Sequence, residues 1–349
     1  MLLPVTEKRP RYITIGAHYR CNADCRFCLG GDYPDFTLRC YREFFEKELL
    51  PVMRDAEHVG FCGYGEVLLM PGITGFLDYI NTESLSGTVK VFTTNGYPLD
   101  SEIRERLVGG RYSIIISLHA SNSKLHEMLT GRKMYEQIIN NIETLAGLKK
   151  KRESSLHINL AFLLTTLNIG DLPDFVELSA RLGADRVTCS YLTVFSRNQL
   201  PMSCFFHQDE TLRSMEKAAK AAERSGLELI LPPRFGNKED EPRICRDPWE
   251  FFYVEVQRSV LPCCYAGDHI GYLGESSFEE IWNSPGYIRL RKGLLSGDPY
   301  RWCSHCMNYR SSNVNDIRSH ITFRHGVREE LLEYMESAGY DNIKNEFKP

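Results

Sequence analysis

The chain has no run of about 18 or more uninterrupted apolar residues, so no transmembrane helix is expected. Its opening, MLLPVTEKRPR, lacks a secretory signal, because the apolar stretch is short and proline and charge follow at once. A charge surplus is also missing. The 42 Lys and Arg against 46 Asp and Glu leave a net charge of −4. That argues against nucleic-acid binding, which normally shows a basic excess. The densest basic run, Lys149-Lys150-Lys151-Arg152, ends the helix-like stretch MYEQIINNIETLAGLKKKR, where cations complement a helix dipole. No internal repeat is evident. A cytoplasmic, reducing location is expected, with no membrane or nucleic-acid partner. There the 12 cysteines read as metal ligands or buried thiols, not disulfides.

What the chain does have is a tight cysteine cluster: Cys21, Cys25 and Cys28, in CNADCRFC, spaced C-x3-C-x2-C. Three such thiolates can hold a [4Fe–4S] cluster and leave one iron open for a substrate or cofactor. A zinc site is the alternative. The cluster follows RYITIGAHY, which reads as a strand, so the loop leaves a strand's C-terminal end, where barrel enzymes keep their active sites. Further strands are expected at 58–62, 89–94, 112–118, 157–164 and 186–192, after a first at 12–18. Helices fall between them, as in 171–183, where Leu172, Phe175, Val176, Leu178 and Leu182 recur near helical spacing and Gly183 suits a C-cap. Six β-α units predict a parallel, right-handed sheet, too short for an eight-fold barrel. After a helix near 209–226 the composition changes. Residues 245–306 are rich in Gly, Pro and Cys with little β-α alternation, and the polar tail carries one helix candidate at 327–339.

The C-x3-C-x2-C run with Phe27 before its third cysteine resembles the radical S-adenosylmethionine (SAM) superfamily. The resemblance implies an α/β fold, a partial (β/α)6 TIM-like barrel followed by a small cysteine-rich SPASM/twitch-like domain. The expected divisions are 1–230, 231–310 and a tail, 311–349. It also implies that the open iron binds SAM, and that one electron cleaves it to a 5′-deoxyadenosyl radical that takes a hydrogen atom from the substrate. Cys62-Gly63-Tyr64-Gly65-Glu66 ends the second strand and resembles the family's G-G-E-P motif, with Val67 in place of proline. Gly65 and Glu66 would meet the SAM ammonium. Phe27, Asn95 (in Thr93-Thr94-Asn95-Gly96), Ser117 (in Ser117-Leu118-His119-Ala120) and Asn168 complete the implied cofactor-binding set. His119 stands where relatives often carry aspartate. A solvent-facing turn at Asn95 and a helix-capping role for Asn168 are the plainer alternatives.

A second set, Cys245, Cys263, Cys264, Cys303 and Cys306, resembles the SPASM/twitch extension, whose role is to hold auxiliary [4Fe–4S] clusters. Two fully ligated clusters need eight thiolates, and five cysteines are present. One auxiliary cluster on Cys245, Cys263, Cys303 and Cys306 is therefore expected, with Cys264 spare or replacing Cys263. A four-cysteine zinc site is the alternative. Arg258-Ser259 stand where relatives carry a glycine. Cys40, Cys62, Cys189 and Cys204 read as buried or barrel-lining thiols. Trp249 and Trp302 are expected to shield the metal, and Ser276/Ser277 with Glu279/Glu280 to form a capping box.

For function, the expectation is radical chemistry on a small polar substrate of carbohydrate, aminocyclitol or nucleotide-sugar type, an oxidation or related transformation. Two features suggest it. A single auxiliary cluster resembles the aminocyclitol dehydrogenase branch, and about ten residues before the first strand leave no room for a leader-peptide-binding domain. The alternative is a peptide or protein maturase, with the tail 307–349 helping to bind a chain. A non-enzymatic iron–sulfur electron carrier is a third class, opposed by the SAM-type motifs. Flavodoxin or ferredoxin is the implied electron donor. The catalytic base is not identified; His119, Tyr191, Arg197, His207 and Glu255 could face the cavity as a base or other substrate group, and a surface or packing role is the plainer reading of each.

Overall fold

The computed structural model describes residues 2–17, 19–28, 42–53, 55–63, 65–81, 85–322, 327–337 and 339. Cys40 and Tyr64 lie outside the described residues. The strands are β1 Tyr12–Gly16, β2 His58–Cys62, β3 Val89–Thr94, β4 Tyr112–Ser117, β5 His157–Leu164, β6 Arg186–Tyr191, β7 Glu228–Ile230, β8 Phe251–Val254, β9 Ser259–Leu261 and β10 Gly271–Tyr272. Runs such as YSIIIS and HINLAFLL hold strongly apolar, β-branched sequence because helices cover a parallel sheet. Ile13, Ile15, Phe61, Phe92, Ile114 and Phe162 form its fully buried centre.

The helices that matter here are α1 Ile73–Ile80, α2 Ser101–Val108, α3 Ser123–Thr130, α4 Tyr135–Lys151, α5 Leu172–Arg181, α6 Gln208–Ser225, α7 Phe278–Trp282, α8 Pro285–Ser296 and α9 Val327–Ser337. Their ends follow local chemistry. Asp100 and Asn122 accept the Ile103 and Leu125 amides at the N-termini of α2 and α3. The basic run closes α4, and Ser277 with Glu280 forms the expected capping box on α7.

All ten strands belong to one sheet, in the order β10-β9-β8-β1-β2-β3-β4-β5-β6-β7. β1 to β7 run parallel in chain order, and the ends do not meet, giving an open, partial barrel. The six expected strands are present. A seventh, the three-residue β7, is too short to show a period. The eighth was hidden in the cysteine-rich stretch: β8 pairs in parallel with the other side of β1, from Tyr12↔Phe251 to Ile15↔Val254, then turns back as the antiparallel strand β9. The sheet therefore continues across residue 230. Gly16, at the end of β1, permits this approach, since a Cβ there would lie 2.9 Å from the Val256 nitrogen.

The chain after the second cysteine set folds back over the C-terminal end of β6. Val194 N–H donates to His320 O at 2.7 Å, and Thr322 N–H to Val194 O at 3.0 Å. Among the described residues no helix is long and apolar enough to cross a membrane.

Candidate active site

The loop after β1 carries Cys21, Cys25 and Cys28. It is held by the C-terminal turn of α3, whose free carbonyls accept its amides: Asp24 N–H to Thr130 O at 2.9 Å and Arg26 N–H to Leu129 O at 3.0 Å. Gln199 adds a side-chain donor to Arg26 O at 3.2 Å. The three thiols line one cavity of about 250 Å³ at the C-terminal end of the sheet. Burial, reinforced by the neighbouring Cys28 and Cys21, pushes the Cys25 thiol up to about 12, and burial raises Cys21 as well. Such thiols give up their protons to a metal, so loading couples to proton release. The Ala23 amide already donates to Cys21 Sγ at 3.4 Å. Among the described residues no three His, Cys, Asp or Glu side chains close on one point as a single ion requires. In a four-iron cluster each thiolate serves a different iron, and the three thiols on one cavity, an all-sulfur donor set, fit that group.

The same cavity collects Phe27, Gly65, Glu66, Asn95, Ser117 and His119 from the ends of successive strands. Glu66 is 2 % exposed. Its carboxylate accepts from Thr94 Oγ1 at 2.7 Å, Asn95 N–H at 2.6 Å and Leu68 N–H at 3.1 Å. Burial outweighs these donors and raises the group to about 7, poised for a cation. Asn95 Nδ2 donates to Asn22 Oδ1 at 2.6 Å, tying this turn to the cysteine loop, so Asn95 faces the site and not solvent. Gly96 makes the turn with φ +82°, and a Cβ there would lie 2.9 Å from Ile116 Cγ2.

His119 is held with φ +60°. Its Nδ1 accepts the Leu163 amide at 3.0 Å, which fixes the proton on Nε2. Burial lowers its pKa to about 3. It is thus a neutral donor beside Phe27, whose ring sits edge-on at 5.0 Å, and not a base. Asn168 does not line the cavity. Its amide is used within the fold, donating to His119 O at 3.0 Å and Leu163 O at 2.9 Å while its oxygen accepts from Thr165. No side-chain cap hydrogen bond forms there either.

The other catalytic candidates lie elsewhere. Tyr191 donates to Pro233 O at 2.9 Å and packs on Phe235 and His320. Arg197 is exposed and stacks on Tyr334 of α9, 3.3 Å from the ring centre. His207 faces Glu210 at 3.7 Å at the start of α6. Glu255 accepts from Ser259 Oγ at 2.7 Å within the β8–β9 turn. None of these four lines either cavity at the strand ends.

A second cavity, of about 450 Å³, adjoins the first and shares Gly63 and Phe195 with it. Its far wall is Cys264, Tyr265 and Trp302, and the returning segment closes it with Ser319, Ile321 and Thr322. Cys306 also reaches this cavity, and it packs with Cys245, Cys303, Trp249 and Leu294. Cys263 joins the group from the side of Trp302. Burial raises all four thiols, with Cys303 feeling both Cys306 and Cys245, and Cys263 feeling Cys303. Cys264 is exposed on the cavity side. Cys263 is therefore the member that faces the set. The α3 carbonyls, Gln199 and the returning segment were missed in the sequence. Backbone acceptors leave no residue-type signal, and only the polarity of the tail hinted at the third.

Comparison with known proteins adds the following. The family profile of the radical SAM superfamily matches residues 17–179, and the SPASM iron–sulfur cluster-binding domain matches 245–307. The antilisterial bacteriocin subtilosin biosynthesis protein AlbA of Bacillus subtilis is 23% identical over 304 residues, covering 85% of this chain and 64% of its own. The PqqA peptide cyclase of Methylorubrum extorquens is 25% identical over 186 residues, 47% of this chain and 48% of its own. The chain thus spans about half to under two thirds of these relatives. Streptococcus suis SuiB shares the fold. Bound to S-adenosylmethionine it superposes with TM-score 0.65 at 15% identity, over 92% of this chain and 77% of its own. Bound to precursor peptide SuiA the values are 0.62 and 14%, over 80% and 66%.

Proposed function

This chain belongs to the radical SAM superfamily and carries a C-terminal SPASM domain, and on that premise we propose that it is a peptide maturase. It is an enzyme whose cofactors are a SAM-binding [4Fe–4S] cluster, SAM and one auxiliary [4Fe–4S] cluster. The carbohydrate-like substrate expected from the sequence is corrected here. Three of the similar proteins are a bacteriocin biosynthesis protein, a peptide cyclase and a protein solved with its precursor peptide, and they support a peptide substrate.

The observation that carries the reading is the second cavity. Its described lining holds no Asp, Glu, Lys or Arg. A wall without carboxylate, ammonium or guanidinium groups suits the neutral backbone of a peptide chain. When bound, the reduced cluster and SAM supply a carbon radical that removes a hydrogen atom. This chain's residues do the rest. Cys21, Cys25 and Cys28 hold the first cluster, and Cys245, Cys263, Cys303 and Cys306 the auxiliary one. Glu66 pairs with the SAM ammonium, and Phe27, Gly65, Asn95 and Ser117 shape its seat. Gly63 and Phe195 mark the passage from SAM to substrate. We divide the two units near residue 230, and assign the protein to the cytoplasm with flavodoxin or ferredoxin as electron donor.

The test uses anaerobically reconstituted protein, SAM and dithionite, with short peptides encoded beside the gene. A matching peptide should raise 5′-deoxyadenosine above the blank and change mass, and Cys28→Ala should abolish both. Stimulation by a small-molecule extract and by no peptide would overturn the proposal.

A further inference from the structure

The second cavity, of about 450 Å³, is walled by rings. Five of its fifteen described lining residues are aromatic, Phe195, Phe251, Tyr253, Tyr265 and Trp302, where the whole chain is 11% aromatic. Phe251 and Tyr253 lie two residues apart on β8 and so on one face of the sheet, with ring centres 6.4 Å apart and planes inclined at 52°. Tyr253 stands opposite Thr14 of β1, which lines the same cavity. Trp302 is braced by Tyr300, which is outside the lining, with ring centres 4.1 Å apart.

The two cavities divide the chemistry. The first holds the Glu66 carboxylate, which suits a cation. The described lining of the second has no carboxylate, ammonium or guanidinium, and its His305 is turned to Asp316, Nδ1 to Oδ2 at 3.1 Å. A charged side chain would lose its water there and find no counter-ion. A ring would meet other rings offset or edge-on, the arrangement aromatic pairs prefer and one that adds to plain burial. Position matters as much as lining. Gly63 and Phe195 belong to both cavities, so a side chain in the second is the group next to the SAM seat.

We propose that the second cavity seats an aromatic side chain of the peptide, and that this aromatic residue gives up the hydrogen atom. One of its C–H bonds breaks, a C–H bond forms at the 5′ carbon of the deoxyadenosyl radical, and the unpaired electron stays on the residue. The co-reactants are SAM and the one-electron donor. This inference rests on the peptide-maturase reading and narrows it to a class of target residue.

The test takes the peptide that raises 5′-deoxyadenosine, synthesised with its aromatic residues deuterated at carbon, and turns it over with the anaerobically reconstituted full chain, SAM and dithionite. Deuterium should enter 5′-deoxyadenosine, and tandem mass spectrometry should place the mass change on an aromatic residue. Deuterium-free 5′-deoxyadenosine above the blank, with the peptide changed at a non-aromatic residue, overturns this inference and leaves the peptide reading standing. Failure of every peptide overturns both. On the protein side, Phe251→Leu should raise the KM for the peptide about tenfold, with iron content and SAM affinity as checks that the protein is intact. An unmoved KM in intact Phe251→Leu also overturns the inference, and the deuterium result needs no variant.

Discussion

Glu66 is the residue whose chemistry is most exposed to experiment. Its carboxyl, raised to about 7 by burial, attracts an ammonium only when ionised. SAM affinity of the cluster-loaded protein should therefore be full above pH 7 and fall about tenfold per unit below it. Calorimetric titration across pH 5.5–8.5 would read this. In Glu66→Gln the slope should vanish and binding be weak throughout; a wild-type profile that stays flat would remove Glu66 from the SAM site. At this scale the sequence was informative where a motif sits in a strand-end turn. Phe27, Gly65, Asn95 and Ser117 all reach the cavity. It was less so for single polar residues. Spacing places Asn168 and Tyr191 at strand ends but does not say which way a side chain turns, and both turn into the fold. His119 reaches the cavity, yet its Nδ1 is taken by the Leu163 amide, so it offers no free basic nitrogen there.

Among the elements, the turn after β3 is the tightest joint of the site. Gly96 combines a left-handed φ with a methyl group 2.9 Å from where a Cβ would sit. Gly96→Ala should cost about 1–3 kcal/mol and loosen Asn95 and Glu66 with it. Urea unfolding and SAM affinity should both suffer; loss of neither would show that the turn relaxes freely. The long buried strands β1 to β6 were legible because continuous apolar runs separated by amphipathic stretches admit few other readings. β7 and β8 were not. A three-residue strand has no period, and FFYV sits where cysteines and glycines mask the pattern. The grip of α3 on the cysteine loop was equally silent, since it is made by carbonyls.

For the molecule as a whole, the pairing of β8 with β1 makes barrel and cysteine-rich extension one hydrogen-bonded body. Gly16→Val would press on the Val256 backbone at their junction. We expect about 1–3 kcal/mol of overpacking, expressed as a single shifted melting transition followed by circular dichroism and by cluster absorbance alike. Two separate transitions would show that the halves unfold independently. Fold and cofactors were readable in advance because cysteine spacing reports them directly. The substrate was not, since the radical-forming apparatus is common to many reactions and the cavity wall is assembled from residues as far apart as Thr14 and Thr322. β1 has one last consequence. It delivers the first cysteine loop from its end while its flank carries the strands that lead to Cys263. Neighbouring strands are locked about 4.8 Å apart, so the spacing between the two electron-handling centres behaves as a constant of the scaffold. The segment at 319–322 enters the cavity wall separately, paired to Val194 and not to β1. A lineage could reshape that wall to admit a different guest while the electrical distance inside the enzyme stayed as it was.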